Sequence, residues 1–364
     1  MTSYRTIFTR LHENDRVNGP VSGQEKKISF PHSFRLLIYS FFIFPLSLFF
    51  FSGCRSLSPL SLAEPGSEAS GSAASGVVKR QKAQPRIGLE DFSPDWQPFA
   101  QKETPGLFYC SARISGEKLE FWAIKADLGE ASIKIVINSG TEGKVLSTKV
   151  SSFVRNYDLL AGINAVPFDR VSAKEGEERI CAGIVVSGGV VVARPVHGYD
   201  ALVFYKPNAG QHGQAAILPQ SEIGNLETVE NALGGFRIIL DEGKLPERLL
   251  SNADSPRQNL PGNTVSRHPR SAAGLSPDGS ILYLLVIDGR RAGSAGATEA
   301  ETGLVLKKLG AAWGLNFDGG GSSALALRFP DSRVRTVNTP IHGGIPGRER
   351  AVAACLGIGL LKKN

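Results

Sequence analysis

Beyond residue 105 the apolar positions fall into short runs broken by Gly, Pro, Asp, Asn and Ser. That punctuation predicts strands joined by turns. Residues 107–114 and 119–126 predict a hairpin closed by Ser115-Gly116-Glu117-Lys118. Further strands are expected over 131–138, 200–206, 214–218, 237–240, 281–287, 311–317 and 351–361, with a strand pair in 179–193 around Ser187-Gly188-Gly189. Two stretches read as helix, 151–160 and 298–309. In the second, Thr298 and Glu301 have capping-box spacing, and Leu304, Val305, Leu306 and Leu309 form the apolar pattern. Lys307 and Lys308 fall in its last turn, and Gly310 supplies a stop. Residues 251–264, polar and rich in Pro and Gly, predict a long loop over a face of the domain. The expected fold class is α/β (α+β): strand-rich mixed sheets with a few helices, in a single catalytic-type domain over 105–362. Hairpins supply antiparallel pairing, and the strand–helix–strand unit over 281–325 a parallel or mixed element.

The most unusual stretch is Asn316-Phe317-Asp318-Gly319-Gly320-Gly321-Ser322-Ser323. Three glycines let backbone N–H groups turn towards a ligand. With the Asp318 carboxylate and the two hydroxyls they can hold a phosphate, a sugar or a metal. The alternative is a glycine-rich turn whose Asp caps its own backbone. Asp288 ends a second apolar strand, in Asp288-Gly289-Arg290. If the two strands are neighbours, both carboxylates lie at one sheet edge, with Arg270 and Arg290 as cationic forks for a phosphate or carboxylate. Paired carboxylates beside arginines suit glycoside or phosphoester chemistry, and also a structural salt-bridge cluster. Asn164 and Asp169 flank Pro167 where the chain should turn, as a site or as an Asx-turn. Asn338 lies in a C-terminal loop, and Arg350 belongs to a charged triplet leading into the last strand. Glu301 is explained by the capping box without chemistry or serves the site.

The N-terminal region is organised differently. Residues 36–51 are almost wholly apolar, preceded by Lys26, Lys27 and Arg35, and followed by Phe51-Ser52-Gly53-Cys54. Basic flank, apolar core and small residues predict a secretory signal. The run is short for a membrane span of about 20 residues. Its end resembles a bacterial lipoprotein box, which implies lipidation at Cys54; an uncleaved signal anchor is the alternative. Residues 1–54 thus read as a leader and 55–104 as a flexible tether, rich in Ser, Ala, Gly and Pro over 55–84. The expected location is the bacterial cell envelope, as an exported, membrane-anchored lipoprotein. The formal charge of +7 is partly a leader effect: without residues 1–54 the chain has 35 Lys and Arg against 31 Asp and Glu. No basic block interleaved with aromatics remains, so no nucleic-acid partner is expected. Cys110, Cys181 and Cys355 sit in apolar runs and read as buried free thiols, with one disulfide as the alternative.

Taken in order, Asn164 to Phe168, Gly234-Gly235, Arg270 to Gly274, Asp288-Gly289-Arg290, Glu301, Asn316 to Ser323, Asn338-Thr339-Pro340 and Glu349 to Val352 resemble the phosphodiester glycosidase family. The resemblance covers about residues 105–362. It implies a hydrolase that cleaves between a sugar's anomeric carbon and a phosphate, on an N-acetylglucosamine-like sugar-1-phosphodiester. Asp318 and Asp288 become candidate acid/base or nucleophilic carboxylates. Arg270, Arg290 and Arg350 would bind the phosphodiester, and Gly319, Gly320, Gly321, Ser322 and Ser323 its leaving-group or sugar oxygens, with Asn164, Asp169 and Asn338 as further contacts. No cofactor is required. A divalent cation on Asp169, Asp288 and Asp318 stays open. The alternative function is a lipid-anchored surface protein that binds phosphoglycans without turnover.

Overall fold

The computed structural model describes residues 88–99, 104–130, 133–141, 144–207, 215–250 and 266–360, all within one compact unit. The leader, Cys54, most of the tether and the loop expected over 251–264 lie outside the described residues.

Among the described residues, twenty strands form four sheets and there are two α-helices. The largest sheet has the order β1(Gln97–Pro98), β2(Leu107–Ile114), β3(Leu119–Asp127), β16(Ile281–Ile287), β15(Arg270–Leu275), β17(Trp313–Asn316) and β14(Arg237–Leu240). A second holds β10(Val190–Ala193), β9(Val185–Ser187), β13(Val229–Gly234), β11(Asp200–Tyr205) and β12(Ala215–Pro219). The third holds β19(Val334–Thr336), β18(Leu325–Arg328), β7(Ala161–Asn164), β20(Cys355–Leu360) and β4(Ile133–Ile137). A small sheet joins β5(Gly140–Thr141), β6(Lys144–Leu146) and β8(Glu178–Ile180).

The fold class is as expected, mostly β with few helices. The expected hairpin forms, with Leu107 opposite Ala126 and Ile114 opposite Leu119. Its turn puts Lys118 in the left-handed region at φ 49°. The pairing sense corrects the expectation of mixed sheets with a parallel element over 281–325. All strand pairs in the four sheets are antiparallel. The crossover β16–α2(Glu299–Leu309)–β17 joins strands of like direction, but β15 lies between them and pairs antiparallel with both. Asp288 and Asp318 therefore end strands that are not neighbours.

The helix α2 starts as its sequence requires. The Thr298 hydroxyl accepts from the Glu301 amide, the Glu301 carboxylate accepts from the Thr298 amide, and Gly310 closes the helix at φ 112°. On β16, Leu282, Leu284 and Val286 enter the core between the three larger sheets. Tyr283, Leu285 and Ile287 meet the underside of α2. A strand buried on both faces has no polar alternation, which is why residues 281–287 are continuously apolar. The first helix, α1(Val150–Asn156), is shorter than the expected 151–160 and packs Val150, Phe153 and Val154 against the third sheet. Cys110, Cys181 and Cys355 are buried free thiols, and burial pushes Cys181 up to about 12. No helix among the described residues is long and apolar enough to cross a membrane.

Candidate functional site

The register of the large sheet assembles the site. Ala272 on β15 faces Asn316 on β17, and Phe317 N donates to Ser271 O at 2.9 Å. Carrying that register one step further puts Arg270 opposite Asp318. The chain then leaves the sheet through Gly319–Ser323, and two asparagines clamp this loop. Asn164, at the end of β7, donates from Nδ2 to Asp318 O at 2.6 Å; its Oδ1 accepts from Ser271 Oγ at 2.7 Å and Ala324 N at 3.1 Å. Asn338 donates to Ser323 O at 3.1 Å and accepts from Leu325 N at 2.9 Å.

Glycine lets the backbone of Pro269 and two guanidinium groups lie against the loop: a Cβ on Gly319 would stand 2.9 Å from Pro269 O. A Cβ on Gly320 would stand 3.1 Å from Arg290 Nη2, and one on Gly321 only 2.5 Å from Arg350 Nη2. Gly320 also adopts φ 62°, where a side chain is strained. The loop amides are largely spent inside the protein. Gly320 N donates to Pro269 O at 2.8 Å, and the Gly319 amide serves the Asp318 carboxylate. The expectation that these amides cradle substrate oxygens is thus replaced at Gly319 and Gly320: the glycines make room for the Pro269 backbone and for arginines.

Above the loop lies a cleft of about 860 Å³, lined by Asp318, Gly319, Gly320 and Gly321, by Asn316, Glu299, Tyr199 and Phe236, and by five arginines, Arg237, Arg248, Arg270, Arg290 and Arg350. Five cations against two carboxylates give it an excess of positive charge. Glu299 is itself paired with Arg248 at 3.0 Å and lies 4.0 Å from Arg270. Arg350 donates to Ser322 Oγ and His342 Nδ1, both at 3.1 Å. Arg290 Nη2 stands 3.4 Å from His268 Nδ1. Arginine has no acceptor, so each Nδ1 must present its lone pair. Burial, reinforced by the neighbouring arginines, lowers the pKa of His268 and His342, which favours that neutral form. Asp318 is raised from 3.8 to about 6: burial outweighs the lowering influence of Ser322, Arg350 and the Gly319 amide.

Other expected residues lie elsewhere. Asp288 is 1% exposed and does not line the cleft; it pairs with Arg291, and its oxygens accept from Asn338 Nδ2 and Thr339 N. It anchors the loop through Asn338 and is not a second carboxylate facing the cleft. Asn164 and Asn338 are likewise buried clamps, outside the cleft wall. Asp169 accepts from Ile180 N at 2.9 Å and pairs with Arg170, so its carboxylate ties the loop to β8 and closes no Asx-turn. Ser322 reaches the site through Arg350 and Asp318, whereas Ser323 Oγ is buried without a partner. Glu301 pairs with Arg267 at 2.6 Å besides capping α2, and so is structural. Among the described residues no group of three or more His, Cys, Asp or Glu can hold a metal, and Asp169, Asp288 and Asp318 each have separate partners. Glu299, Arg237, Arg248, His268, Tyr199 and Phe236 join the cleft without a sequence motif to mark them. A second cleft of similar volume runs past Lys144, Thr148 and Tyr157, but its Glu175 is taken up by Lys149 N and the Thr148 and Ser152 hydroxyls.

The catalytic domain of a zebrafish N-acetylglucosamine-1-phosphodiester alpha-N-acetylglucosaminidase, auto-inhibited by its pro-peptide, is 16% identical over 74% of this chain and 88% of its own, with a TM-score of 0.51. At that identity the likeness shows the fold alone. A hypothetical protein from Synechocystis is 16% identical over 75% of this chain and 64% of its own, at a TM-score of 0.46. No curated protein sequence matches the chain. The family profile described as phosphodiester glycosidase matches residues 157–359, which contain the whole Asp318 loop, its clamps and every residue lining the arginine cleft. The chain belongs to the phosphodiester glycosidase family.

Proposed function

We propose that the protein hydrolyses sugar-1-phosphodiesters, cleaving between the anomeric carbon and phosphate. The observation that carries this reading is Asp318, raised to about 6, in a cleft lined by Arg270, Arg290 and Arg350. The arginines bind the phosphodiester and take up the charge that builds on phosphate as the C–O bond breaks. The Tyr199 and Phe236 rings, 6.1 Å apart, offer an apolar wall for the sugar. Phosphate leaves without a strong general acid. Asp318 then acts in its ionised form, removing a proton from the water that attacks the anomeric carbon. Hydroxide adds to carbon, phosphate departs with the bonding pair, and the proton rests on Asp318. The sugar is N-acetylglucosamine-like on the strength of the family resemblance. The leader motif supports export and lipidation at Cys54, which would hold the domain at a membrane of the cell envelope.

The test is release of free sugar from N-acetylglucosamine-1-phosphodiesters by the purified full-length protein, with and without chelator. Turnover lost in Asp318→Asn supports the hydrolase, and turnover lost with chelator would add a metal to it. Binding of phosphoglycans without release from any sugar phosphodiester would replace the enzyme with a binding protein.

A further inference from the structure

Asn316 ends β17 two residues before Asp318, and both line the cleft. Strand alternation places positions 316 and 318 on one face, with Cα atoms about 7 Å apart. The backbone of Asn316 is engaged: its carbonyl accepts from Phe236 N at 2.8 Å, and the residue pairs with Ala272 and Arg237 in register. Its side chain is not. Asn316 is 2% exposed, and its Oδ1 is buried without a hydrogen-bond partner. Four side-chain atoms among the described residues share that condition, on Arg179, Arg291, Asn316 and Ser323, and of these residues only Asn316 lines the cleft. A buried unpaired amide oxygen weakens a fold and calls for an explanation. A half-turn about its terminal torsion exchanges the amide nitrogen and oxygen and presents that oxygen to a bound molecule. Phe236, held to the same residue through its amide, lines the same cleft.

We propose that Asn316 is the specificity residue for the substituent on the sugar carbon next to the reacting one, accepting a hydrogen bond from its N–H or O–H. The inference rests on the sugar-phosphodiester reading. With Asp318 at the anomeric carbon, the group one carbon away falls within reach of the neighbouring same-face side chain. The preferred substrates are then 2-acylamino and 2-hydroxy sugars, and 2-deoxy sugars are rejected.

The experiment compares wild type and Asn316→Ala on sugar-1-phosphodiesters with a 2-acetamido, a 2-hydroxy or a 2-deoxy ring. Wild type should lose about tenfold to a hundredfold in kcat/KM on the 2-deoxy substrate. Asn316→Ala should lose as much on the first two and almost nothing further on the third. Equal losses on all three rings would overturn the specificity role while leaving the hydrolase standing. Absence of wild-type turnover on every ring would overturn the reaction, and this inference with it. A second readout needs no turnover: Asn316→Leu replaces an unpaired amide by an apolar group of similar size, so the unliganded thermal midpoint should hold or rise. A fall of more than about 5 °C would show the amide to be structural and end the proposal.

Discussion

Replacing Asp318 by Asn should abolish turnover and at the same time make the unliganded protein more stable at neutral pH. The carboxyl group stands at about 6 in the folded protein against an ordinary 3.8, because burial outweighs its hydrogen bonds from Ser322 and Gly319 and the nearby Arg350. Folding therefore favours the protonated form. The stability this contributes is fully present below about pH 3.8 and is lost as pH rises through about 6. At pH 8 the wild type carries the whole cost of a buried charge, at most about 3 kcal/mol from the interval between the two values. Partial exposure to the cleft reduces this, and about 1–2 kcal/mol is expected. Asn cannot ionise, and its amide can still accept from Gly319 and donate to Ser322. Urea unfolding followed by tryptophan fluorescence at pH 4 and pH 8 measures the difference. The two proteins should nearly coincide at pH 4, separate between about pH 4 and 6, and stay apart above it, the variant ahead at pH 8. A variant weaker at pH 8, or a gap independent of pH, would show that Arg350 and the hydrogen bonds outweigh burial. The same group predicts a rise in kcat/KM with pH through about 6 in the wild type.

Gly321→Ala puts a Cβ 2.5 Å from Arg350 Nη2; the guanidinium must move off Ser322, and KM should rise roughly tenfold with little change in thermal midpoint. Asn164→Ala removes partners from Asp318 O, Ser271 Oγ and Ala324 N together, which should cost about 3 kcal/mol by urea unfolding and most of the activity. Glu301→Gln keeps a capping-box residue but loses the charge opposite Arg267; turnover should stay within about twofold and stability within about 1 kcal/mol. Cys54→Ser should abolish incorporation of labelled fatty acid and release the protein from membranes, and unchanged labelling would rule out Cys54 as the acceptor.

Much of the local structure was legible. The hairpin of β2 and β3, the capping box of α2 and the buried runs of β16 and β17 follow from periodicity and turn chemistry, which act over a few residues. The Asp318 loop stood out because three glycines and an acid at a strand end are rarely a simple turn. Strand order was not legible. Nothing local to residues 281–317 shows that β15 inserts between β16 and β17, and that insertion separates Asp288 from Asp318. The partners of Asp288, Asn164 and Asn338 were hidden for the same reason. Apart from Arg291, three residues beyond Asp288, these partners lie on other segments of the chain, so a clamp and a ligand contact look alike in sequence. Glu299 carries no signal beyond a favourable charge in the first turn of α2; only packing beside Arg248 and Arg270 brings it to the cleft.

The place of β20 has a consequence for biosynthesis. This strand, the last described in the chain, sits between β7 and β4 and pairs with both. The end of β7 supplies Asn164, which holds Asp318 from 154 positions away in the chain. A nascent polypeptide emerging from the ribosome would carry every residue of the Asp318 loop before β7 had its neighbour β20. Activity should therefore switch on late and all at once, when residues 355–360 become available. Fragments truncated before that point should be inactive despite an intact Asp318 loop, so the site would stay incomplete during synthesis.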